Sequence, residues 1–418
     1  MHVIVQWLRP LCGRSFLHAL FHDVLGAFLS DLRHILCVNS GSSSLKLSVF
    51  RFEAAREVRV LNAEAHGIGD VGGSLRLRSQ DGVEEVVELR SSNYGEALAQ
   101  FLASLEGNGL PPPDAIGHRL VHGGKAHREP EKITPALLGE LEAVISLAPL
   151  HLPPALEAIH TCSRYFPGHA QVACFDTGFH RNLPARAQRL PLPEALWEQG
   201  VRRYGFHGLS YEYIVAELGP KASGRLVVAH LGGGASLAAI LDGRSLDTTM
   251  GFTPAGGIMM GTRCGDLDPG VLVYLSRCGY DSARIERLVE REAGLLGVSG
   301  RSAEMAVLLA HREADPKAAL AVDQFAYQVR KQIGAFAAVL GGLDRLVFTG
   351  GIGENAAPVR AAACAGLEFL GVQLDPDRNN VGAERISSDG AACEVLVIAT
   401  DEDRMIARHT HEMLFGAG

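Results

Sequence analysis

The chain carries one short pattern twice, about half its length apart. Residues 35–50 read ILCVNSGSSSLKLSVF, and residues 226–241 read LVVAHLGGGASLAAIL. Each is an apolar run, a polar residue (Asn39 or His230), a Gly/Ser turn and a second apolar run, which predicts a β-hairpin. Such turns permit positive φ and leave backbone N–H groups bare, and a concavity of bare N–H groups suits phosphate. Each segment alone is equally consistent with an ordinary hairpin, but the repetition favours a duplicated fold that holds a polyphosphate.

Length and charge favour a two-domain soluble enzyme. The 418 residues exceed what one hydrophobic core usually serves. The formal net charge is −8 and no basic tract is present, which argues against a nucleic-acid partner. Eight cysteines occur without a C-x-x-C pair, which argues against zinc and disulfides and predicts a reducing, cytoplasmic location.

Residues 1–34 differ from the rest of the chain. No apolar run there reaches the roughly 18 residues of a membrane span, and no cleavage site follows a clean apolar stretch. We interpret the segment as an N-terminal extension that is disordered or reflects a start assigned too early. An amphipathic docking helix is the alternative.

Strand-like and helix-like segments alternate along the remainder, which predicts α/β layers. The P-loop pattern is absent. Residues 350–355, GGIGEN, follow a strand but lack the dinucleotide spacing G-x-G-x-x-G. Strands are expected at 115–121, 171–175, 226–230, 236–241, 345–349 and 394–398, and helices at 134–147, 319–340 and 402–415.

Several short polar clusters carry candidate chemistry. Arg119 lies in GHRLVHGG and Arg263 in GTRCGD, and planar guanidinium groups bind carboxylate and phosphoryl oxygens bidentately. Asp176 ends a strand in FDTGFH, His207 lies in YGFHG, and His151 ends LAPLH. Taken singly, each is also consistent with a surface arginine, a turn-capping aspartate or a histidine satisfied in the core.

Together these segments resemble the acetate kinase family, within the superfamily of acetate and sugar kinases, heat-shock chaperones and actin. Eleven short motifs match in the family's order, over about residues 35–415. They are VNSGSSSLK, GHRLVHGG, LAPLH, FDTGFH, YGFHG, HLGGGAS, MGFTP, GTRCGDLDP, GLLGVSGRS, FTGGIGEN and TDEDRMIAR. The resemblance implies an α/β, duplicated ribonuclease H-like (actin-like) two-domain fold with its active site in the interdomain cleft. Residues 35–185, completed by about 402–418, would form the first domain, and residues 186–401 the second, which would carry the nucleotide and the dimer contact.

The resemblance also implies reversible, direct in-line phosphoryl transfer from ATP to acetate, giving ADP and acetyl phosphate. Mg²⁺ would be required, with Mn²⁺ able to substitute, and the protein would be a cytoplasmic homodimer without nucleic-acid or membrane partners. A kinase for propionate or another short-chain acid is the alternative within enzymes. A catalytically silent nucleotide-binding switch is the alternative from another class.

Site residues follow from the resemblance, position by position. Arg119, Asp176, His207 and Arg263 would be catalytic, and Asn39 and Glu402 would set the metal. Arg119 would hold the acetate carboxylate, and Val121, Leu150, Phe206 and Pro254 would wall the methyl pocket. The residues expected to bind nucleotide are Ser42, Ser44, Lys46, His151, His230, Leu231, Gly232, Gly233, Gly234, Glu304, Met305, Ala306, Gly351, Ile352, Gly353, Glu354 and Asn355.

Some positions depart from the family pattern. Gly233 replaces a usual Asn, and Glu304, Met305 and Ala306 stand where an Asp, an apolar residue and an Arg are usual. The nucleotide preference is therefore open. Arg119, Asp176, His207, Arg263 and Glu402 are all retained, which argues against lost catalysis.

Overall fold

The structure is a computed structural model that describes residues 32–40, 44–53, 56–66, 68, 73–89, 94–107 and 109–416. The N-terminal extension expected from the sequence lies outside the described residues up to position 31. Its last three residues instead belong to the first strand, because residues 32–34 pair with residues 51–53 of the second.

Strands and helices alternate, as the sequence predicts. The strands are β1 (Leu32–Ser40), β2 (Ser44–Glu53), β3 (Arg56–His66), β4 (Ser74–Ser79), β5 (Glu84–Glu88), β6 (Ala115–Leu120), β7 (Glu131–Lys132), β8 (Ala170–Phe175), β9 (Arg225–Leu231), β10 (Ala235–Leu241), β11 (Arg244–Thr248), β12 (Arg345–Thr349) and β13 (Glu394–Val397). The α-helices are α1 (Tyr94–Gly107), α2 (Pro135–Ala143), α3 (Leu152–Tyr165), α4 (Ala185–Gln188), α5 (Glu194–Glu198), α6 (Gly208–Leu218), α7 (Pro269–Arg277), α8 (Ser282–Arg287), α9 (Gly294–Ser299), α10 (Met305–His311), α11 (Pro316–Leu340), α12 (Gly350–Asn355), α13 (Ala357–Cys364), α14 (Pro376–Asn380) and α15 (Glu402–Phe415).

The chain divides into two compact units. Unit 1 contains the described residues up to His118, together with residues 154–172 and the chain from Ala407 onward. Unit 2 contains residues 119–153 and 173–406. The domain limits expected from the sequence, and an active site in a cleft between domains, stay predictions.

Unit 1 is built on the first repeated hairpin. β1 and β2 pair antiparallel, and Asn39 lies opposite Lys46. β6 pairs parallel with β1, and the strand order of the eight-stranded sheet is β5-β4-β3-β2-β1-β6-β8-β7. Helix α1 covers the sheet, with Leu98 and Phe101 in the same buried cluster as Leu36 and Leu47. The first predicted hairpin is therefore confirmed as a strand pair, while its turn at residues 41–43 lies outside the described residues.

Unit 2 repeats this arrangement around the second hairpin. β9 and β10 pair antiparallel, β12 runs parallel to both β9 and β13, and the strand order is β11-β10-β9-β12-β13. Successive side chains of a strand point to opposite faces. Val227 accordingly packs in the cluster with Phe325 of α11, whereas Val228 packs with Tyr211 of α6. Helices on both faces explain why these strands are continuously apolar.

The predicted helices are confirmed with one difference. The apolar spacing of three and four residues in α11 buries Val322, Phe325, Val329, Ile333 and Phe336 on one side. The helix expected at 134–147 ends at Ala143, and a separate 3₁₀ turn follows at residues 145–147. In the described part of the chain, no helix is both long and apolar enough to cross a membrane.

Candidate active site

A buried ion pair lies where the neighbouring strands β6 and β8 end. Arg119 is the penultimate residue of β6, and Asp176 follows β8 directly. The Asp176 backbone N–H donates to the Leu120 carbonyl at 2.9 Å, which aligns the two strand ends. Arg119 Nη2 then donates to Asp176 Oδ2 at 2.6 Å. The structure thus brings together two residues that the sequence predicts to be catalytic.

The charges around this pair are strongly perturbed. Burial raises the pKa of Asp176, whose side chain is 1% exposed, and the Arg119 guanidinium opposes that rise. Burial lowers the pKa of Arg119, but the carboxylates of Asp176 and Glu402 raise it by more, so Arg119 stays charged. Glu402 begins α15, and its Oε2 lies 3.9 Å from Arg119 Nε. Asp176 Oδ1 is buried and accepts no hydrogen bond from the described residues.

A tight turn places His207 beside this pair. The Gly208 N–H donates to the Asp176 carbonyl at 2.7 Å. A Cβ on Gly208 would lie 2.2 Å from that oxygen, so only glycine permits the contact. His207 itself has a φ of +57°, in the left-handed region. Strain of this kind persists only where the surrounding contacts impose it.

His207 and His230 stack on each other and are each held by a serine. Their ring centroids are 4.2 Å apart at an interplanar angle of 23°. His207 Nδ1 lies 2.9 Å from Ser236 Oγ, and His230 Nδ1 lies 2.8 Å from Ser210 Oγ. Burial lowers the pKa of His207 well below its ordinary value, and His230, Arg119 and Arg263 lower it further. The His207 imidazole is therefore neutral near pH 7.

The turn between β9 and β10 comes close to His207 at Gly234. A Cβ on Gly234 would lie 3.2 Å from His207 Nε2 and 3.5 Å from Arg263 Nη1. A side chain at position 234 would therefore crowd both groups. Within the turn, the Gly232 N–H donates to the Gly234 carbonyl at 3.0 Å.

Arg263 borders a cavity of about 60 Å³. Leu150, His151 and Pro254, all predicted site residues, line the same cavity. Arg263 Nη1 donates to the Pro254 carbonyl at 3.3 Å, and Arg263 Nη2 lies 3.5 Å from His151 Nε2. Burial, followed by the charges of Arg263 and Arg119, lowers the pKa of His151 to about 3. Burial also lowers the pKa of Arg263, and only Glu290 among neighbouring charges raises it.

Val121 and Phe206, the other predicted wall residues, belong to the core. Both are buried in one hydrophobic cluster with Leu152, and the His122 ring meets the Phe206 ring edge-on at 5.7 Å. Neither is among the residues that line the cavity beside Arg263. A methyl pocket formed by Val121 and Phe206 with Leu150 and Pro254 therefore stays a prediction.

The predicted nucleotide segments of unit 2 converge near the glycine turn. Gly350 has a φ of +75°, and a Cβ there would lie 2.8 Å from the Leu231 carbonyl oxygen. This close approach places α12 directly against the end of β9. The Gly261 N–H donates to the Gly233 carbonyl at 3.1 Å, and a Cβ on Gly261 would lie 3.2 Å from the Ala303 carbonyl oxygen. The chain just before Glu304 therefore lies close to the same turn.

Not every residue of these segments has a side chain free to bind a ligand. Glu354 Oε1 accepts the Gly350 and Thr400 N–H groups at 2.9 and 3.2 Å, which fastens α12 to the segment before α15. Met305 is buried in the core and Ile352 packs against it, whereas Glu304, Ala306, Gly351 and Asn355 are exposed. Gly353 is buried within α12. The fully buried Arg360 donates to the carbonyls of Gly353 and Glu354, both at 2.9 Å.

The remaining predicted residues lie in unit 1. Asn39 is buried near the end of β1. Lys46 Nζ lies 3.8 Å from Glu64 Oε1 in an exposed ion pair. Ser42 lies outside the described residues, and Ser44 begins β2. Roles for these four residues stay predictions.

Known proteins resemble this chain over most of its length. The acetokinase family profile matches residues 34–408. An acetate kinase of Rhodopseudomonas palustris (strain TIE-1) is 45% identical over 402 residues, covering 93% of this chain and all of that protein. An acetate kinase of Heliobacterium modesticaldum is 41% identical, covering 91% of this chain and all of that protein. The chain belongs to the acetokinase family.

Solved structures of acetokinase-family proteins share the fold. The acetate kinase of Porphyromonas gingivalis superposes with a TM-score of 0.81 at 36% identity, over 91% of this chain and all of the other. A propionate kinase from Francisella tularensis superposes with a TM-score of 0.85 at 34% identity, over 91% of this chain and 99% of the other. The mixed α/β architecture with two sheets is consistent with the duplicated actin-like fold expected from the sequence.

In this acetokinase-family chain, sequence reasoning missed several residues that surround the predicted ones. Glu286 and Glu290 line the cavity beside Arg263. Glu290 lies in a π-helical turn at residues 288–292, and no sequence pattern used above predicts such a turn. Ser236 is the last residue of the HLGGGAS motif and contacts His207. Its place in that motif is the feature of the sequence that could have pointed to it. Tyr211 and Ser210 could have been suspected only from their place just after YGFHG.

Proposed function

We propose that this protein catalyses the reversible transfer of a phosphoryl group from ATP to the carboxylate of acetate. The carrying observation is that the glycine turn comes close to both His207 and Arg263, since a Cβ on Gly234 would lie 3.2 Å from His207 Nε2 and 3.5 Å from Arg263 Nη1. Arg119 acts electrostatically on both groups. A guanidinium and an imidazole at one turn, with a second guanidinium acting on both, suit a group that carries negative charge during transfer. Relatives named acetate kinase, at 40–45% identity, support acetate as the acceptor.

The chemistry needs positioning more than proton transfer. Acetate is already an anion at neutral pH, so no strong base is required to make it a nucleophile. Arg119 holds its carboxylate, Arg263 neutralises the equatorial oxygens of the phosphoryl group, and His207 donates a hydrogen bond to it. Asp176 is bonded to Arg119 at 2.6 Å and almost fully buried, which favours orientation of Arg119 over acid–base catalysis.

The nucleotide would be held mainly by backbone. In unit 2 the glycine turn from His230 and Leu231 to Gly234 would take the phosphates, and Gly351 and Asn355 with the chain around Glu304 and Ala306 would take the nucleoside. Ser42, Ser44 and Lys46 on the first hairpin would contact the phosphates as well. Glu354, Met305 and Ile352 would act structurally, as their contacts indicate.

A divalent metal fits the residues that are present. Among the described residues, no group of three His, Cys, Asp or Glu side chains could hold a metal ion. Mg²⁺ at kinase sites keeps several waters and uses one or two carboxylates with substrate phosphates, so Glu402 would supply the carboxylate of unit 2, directly or through water, and Asn39 stays a predicted ligand. When bound, Mg²⁺ supplies neutralisation of phosphate charge, and Mn²⁺ would serve in its place.

Trapping of the acyl phosphate tests the proposal. Purified protein with ATP, Mg²⁺ and acetate should yield acetyl hydroxamate in the presence of hydroxylamine. Asp176→Asn should reduce the yield strongly, whereas Arg225→Ala, at an exposed pair with Asp344, should not. If the folded wild-type protein binds ATP but forms no hydroxamate, the proposal is wrong. The protein would then be the catalytically silent nucleotide-binding switch.

Propionate is the second candidate acceptor, because the propionate kinase of Francisella tularensis shares the fold at 34% identity. The same assay with propionate, compared by kcat/KM, decides between the two acids. A propionate value above the acetate value would reverse the assignment.

We further propose a cytoplasmic homodimer. All seven cysteines in the described part of the chain are free thiols, which suits a reducing compartment. A row of exposed apolar side chains on α7 supports self-association through unit 2.

A further inference from the structure

His207 ends a chain of two buried hydroxyl groups. Tyr211 OH lies 2.6 Å from Ser236 Oγ, and Ser236 Oγ lies 2.9 Å from His207 Nδ1. Tyr211 and Ser236 are 0% exposed. The three groups come from the turn before α6, from α6 itself and from β10, so the sheet and the helix fix their spacing.

Only one arrangement of hydrogens satisfies this chain. Among the described residues, Ser236 Oγ is the one hydrogen-bond partner that the structure gives to Tyr211 OH, so the buried tyrosine hydrogen must point to it. Ser236 has a single hydroxyl hydrogen, and His207 Nδ1 is the acceptor that remains for it. With the direction reversed, the Tyr211 hydrogen would be buried without an acceptor, and native structures avoid such orphans.

We propose that Tyr211 and Ser236 are positioning residues that fix the tautomer of His207, so that Nδ1 accepts from Ser236 and Nε2 carries the hydrogen. The proposal rests on the function proposed above, in which His207 donates to the phosphoryl group. The hydrogen on Nε2 then faces the space beside Gly234, where a Cβ would come within 3.2 Å. The other tautomer would present a lone pair to an anion and repel it.

The stacked partner of His207 repeats the arrangement. Thr400 Oγ1 donates to Ser210 Oγ at 2.8 Å, and Ser210 Oγ lies 2.8 Å from His230 Nδ1. Each of the two stacked imidazoles therefore has a chain of two hydroxyl groups that leads to its Nδ1 atom. The repetition argues that the Nδ1 contacts serve the orientation of the rings and are not incidental packing.

The tautomer can be measured without substrates. In full-length protein labelled with ¹⁵N-histidine, two-bond ¹H–¹⁵N correlation spectra distinguish Nε2–H from Nδ1–H imidazole, and His207→Gln assigns the signal by its loss. We expect the Nε2–H pattern for His207 in wild type. An Nδ1–H pattern overturns the proposal, whatever acid the enzyme phosphorylates. An Nε2–H pattern in a protein that forms no acyl phosphate would instead reject the proposed function and leave the tautomer assignment standing.

Kinetics then test whether the tautomer matters. Ser236→Ala should mix the tautomers and lower kcat by about tenfold to a hundredfold, the scale seen when a group that orients a metal-ligating imidazole is lost, with the KM values changed little. Tyr211→Phe leaves the Ser236 hydroxyl able to donate, so its loss in kcat should be smaller, about threefold or less. The double variant should match Ser236→Ala alone, because the two residues act in series.

Ser245→Ala is the matched control. Ser245 Oγ lies 2.7 Å from Nδ1 of the buried His180, which makes it a serine–histidine contact of the same kind. This variant should keep the wild-type kcat and the His207 spectrum. Ser236→Ala with unchanged kcat and an unchanged His207 spectrum would refute the proposal. If Ser236→Ala fails to fold, the wild-type spectrum and Tyr211→Phe still decide.

Discussion

Two buried guanidinium groups determine the electrostatics of the site at the scale of single residues. Arg119 is compensated by Asp176 and Glu402, and its pKa is raised. Burial and the charge of Arg119 destabilise the charged form of Arg263, and the charge of Glu290 stabilises it. The net effect lowers the pKa of Arg263. A cation that is incompletely compensated in a buried place gains most from an arriving anion. We therefore expect Arg263 to contribute chiefly when the substrates and the transition state bring negative charge.

Arg263→Ala should lower kcat by about 10²-fold or more, the scale of a lost charge contact in the transition state. Thermal stability should change little, because the partners of Arg263 among the described residues are an uncharged carbonyl, a thioether and an imidazole. Arg119→Ala should lower kcat similarly and also destabilise the fold by roughly 3–5 kcal/mol, since it leaves the buried Asp176 carboxylate unpaired. Steady-state kinetics and thermal melts of both variants, with Arg225→Ala as control, test this contrast. A higher KM with unchanged kcat would assign either arginine to ground-state binding.

Val121 is expected to limit the size of the acid. If its buried side chain closes the pocket beside Arg119, acetate should be preferred over propionate by about tenfold in kcat/KM, within the roughly 1–3 kcal/mol that pockets distinguish per methylene. Val121→Ala should improve propionate and impair acetate only modestly. Val372→Ala, in the same hydrophobic cluster, controls for general loosening of the core. An unchanged ratio of the two acids in Val121→Ala would remove Val121 from the pocket.

At the scale of elements, local patterns predict the frame of the site but not its closest contacts. Continuous apolar runs predict β9 and β10, and helical apolar periodicity predicts α11, because burial on both faces or on one requires these patterns. The contact of Gly208 with Asp176 joins residues 32 positions apart, and the Ser236 contact with His207 joins residues 29 apart. Such contacts depend on how strands and helices pack, which no short pattern contains. Glu290 was missed for the same reason, since a π-helical turn presents it.

The turn between β9 and β10 offers a test with its own control. Gly234→Ala places a methyl group 3.2 Å from His207 Nε2, and Gly233→Ala places one where nothing lies within 4 Å. Gly234→Ala should therefore lower kcat/KM for ATP by about tenfold or more, on the scale of a misplaced reacting group. Gly233→Ala should cause a clearly smaller loss, and both should melt close to wild type. Equal losses in the two variants would mean that backbone flexibility of the turn, and not the space at His207, is what matters.

At the scale of the whole molecule, α7 presents an apolar surface that unit 2 does not cover. Val271, Leu272, Val273 and Tyr274 are consecutive, and their side chains are 39%, 38%, 50% and 65% exposed. Leu267, just before the helix, is 44% exposed. Single exposed apolar residues are ordinary, but a contiguous group marks an interaction surface. Because the family resemblance implies a homodimer, a second copy of this chain is the expected partner.

The double variant Val273→Glu with Tyr274→Glu should convert the dimer to a monomer. Two carboxylates per copy would be buried at a contact between like surfaces, and unpaired buried charges are strongly unfavourable. Tyr327→Glu on α11 is the control, because Tyr327 is 61% exposed but stands apart from the α7 surface in sequence. Light scattering after size-exclusion chromatography should give half the wild-type mass for the double variant and the full mass for the control. A double variant that remains dimeric would exclude α7 from the contact. If the mass fell to half for Tyr327→Glu and not for the double variant, the contact would lie on α11 instead, because a new carboxylate breaks the association only where the contact buries it.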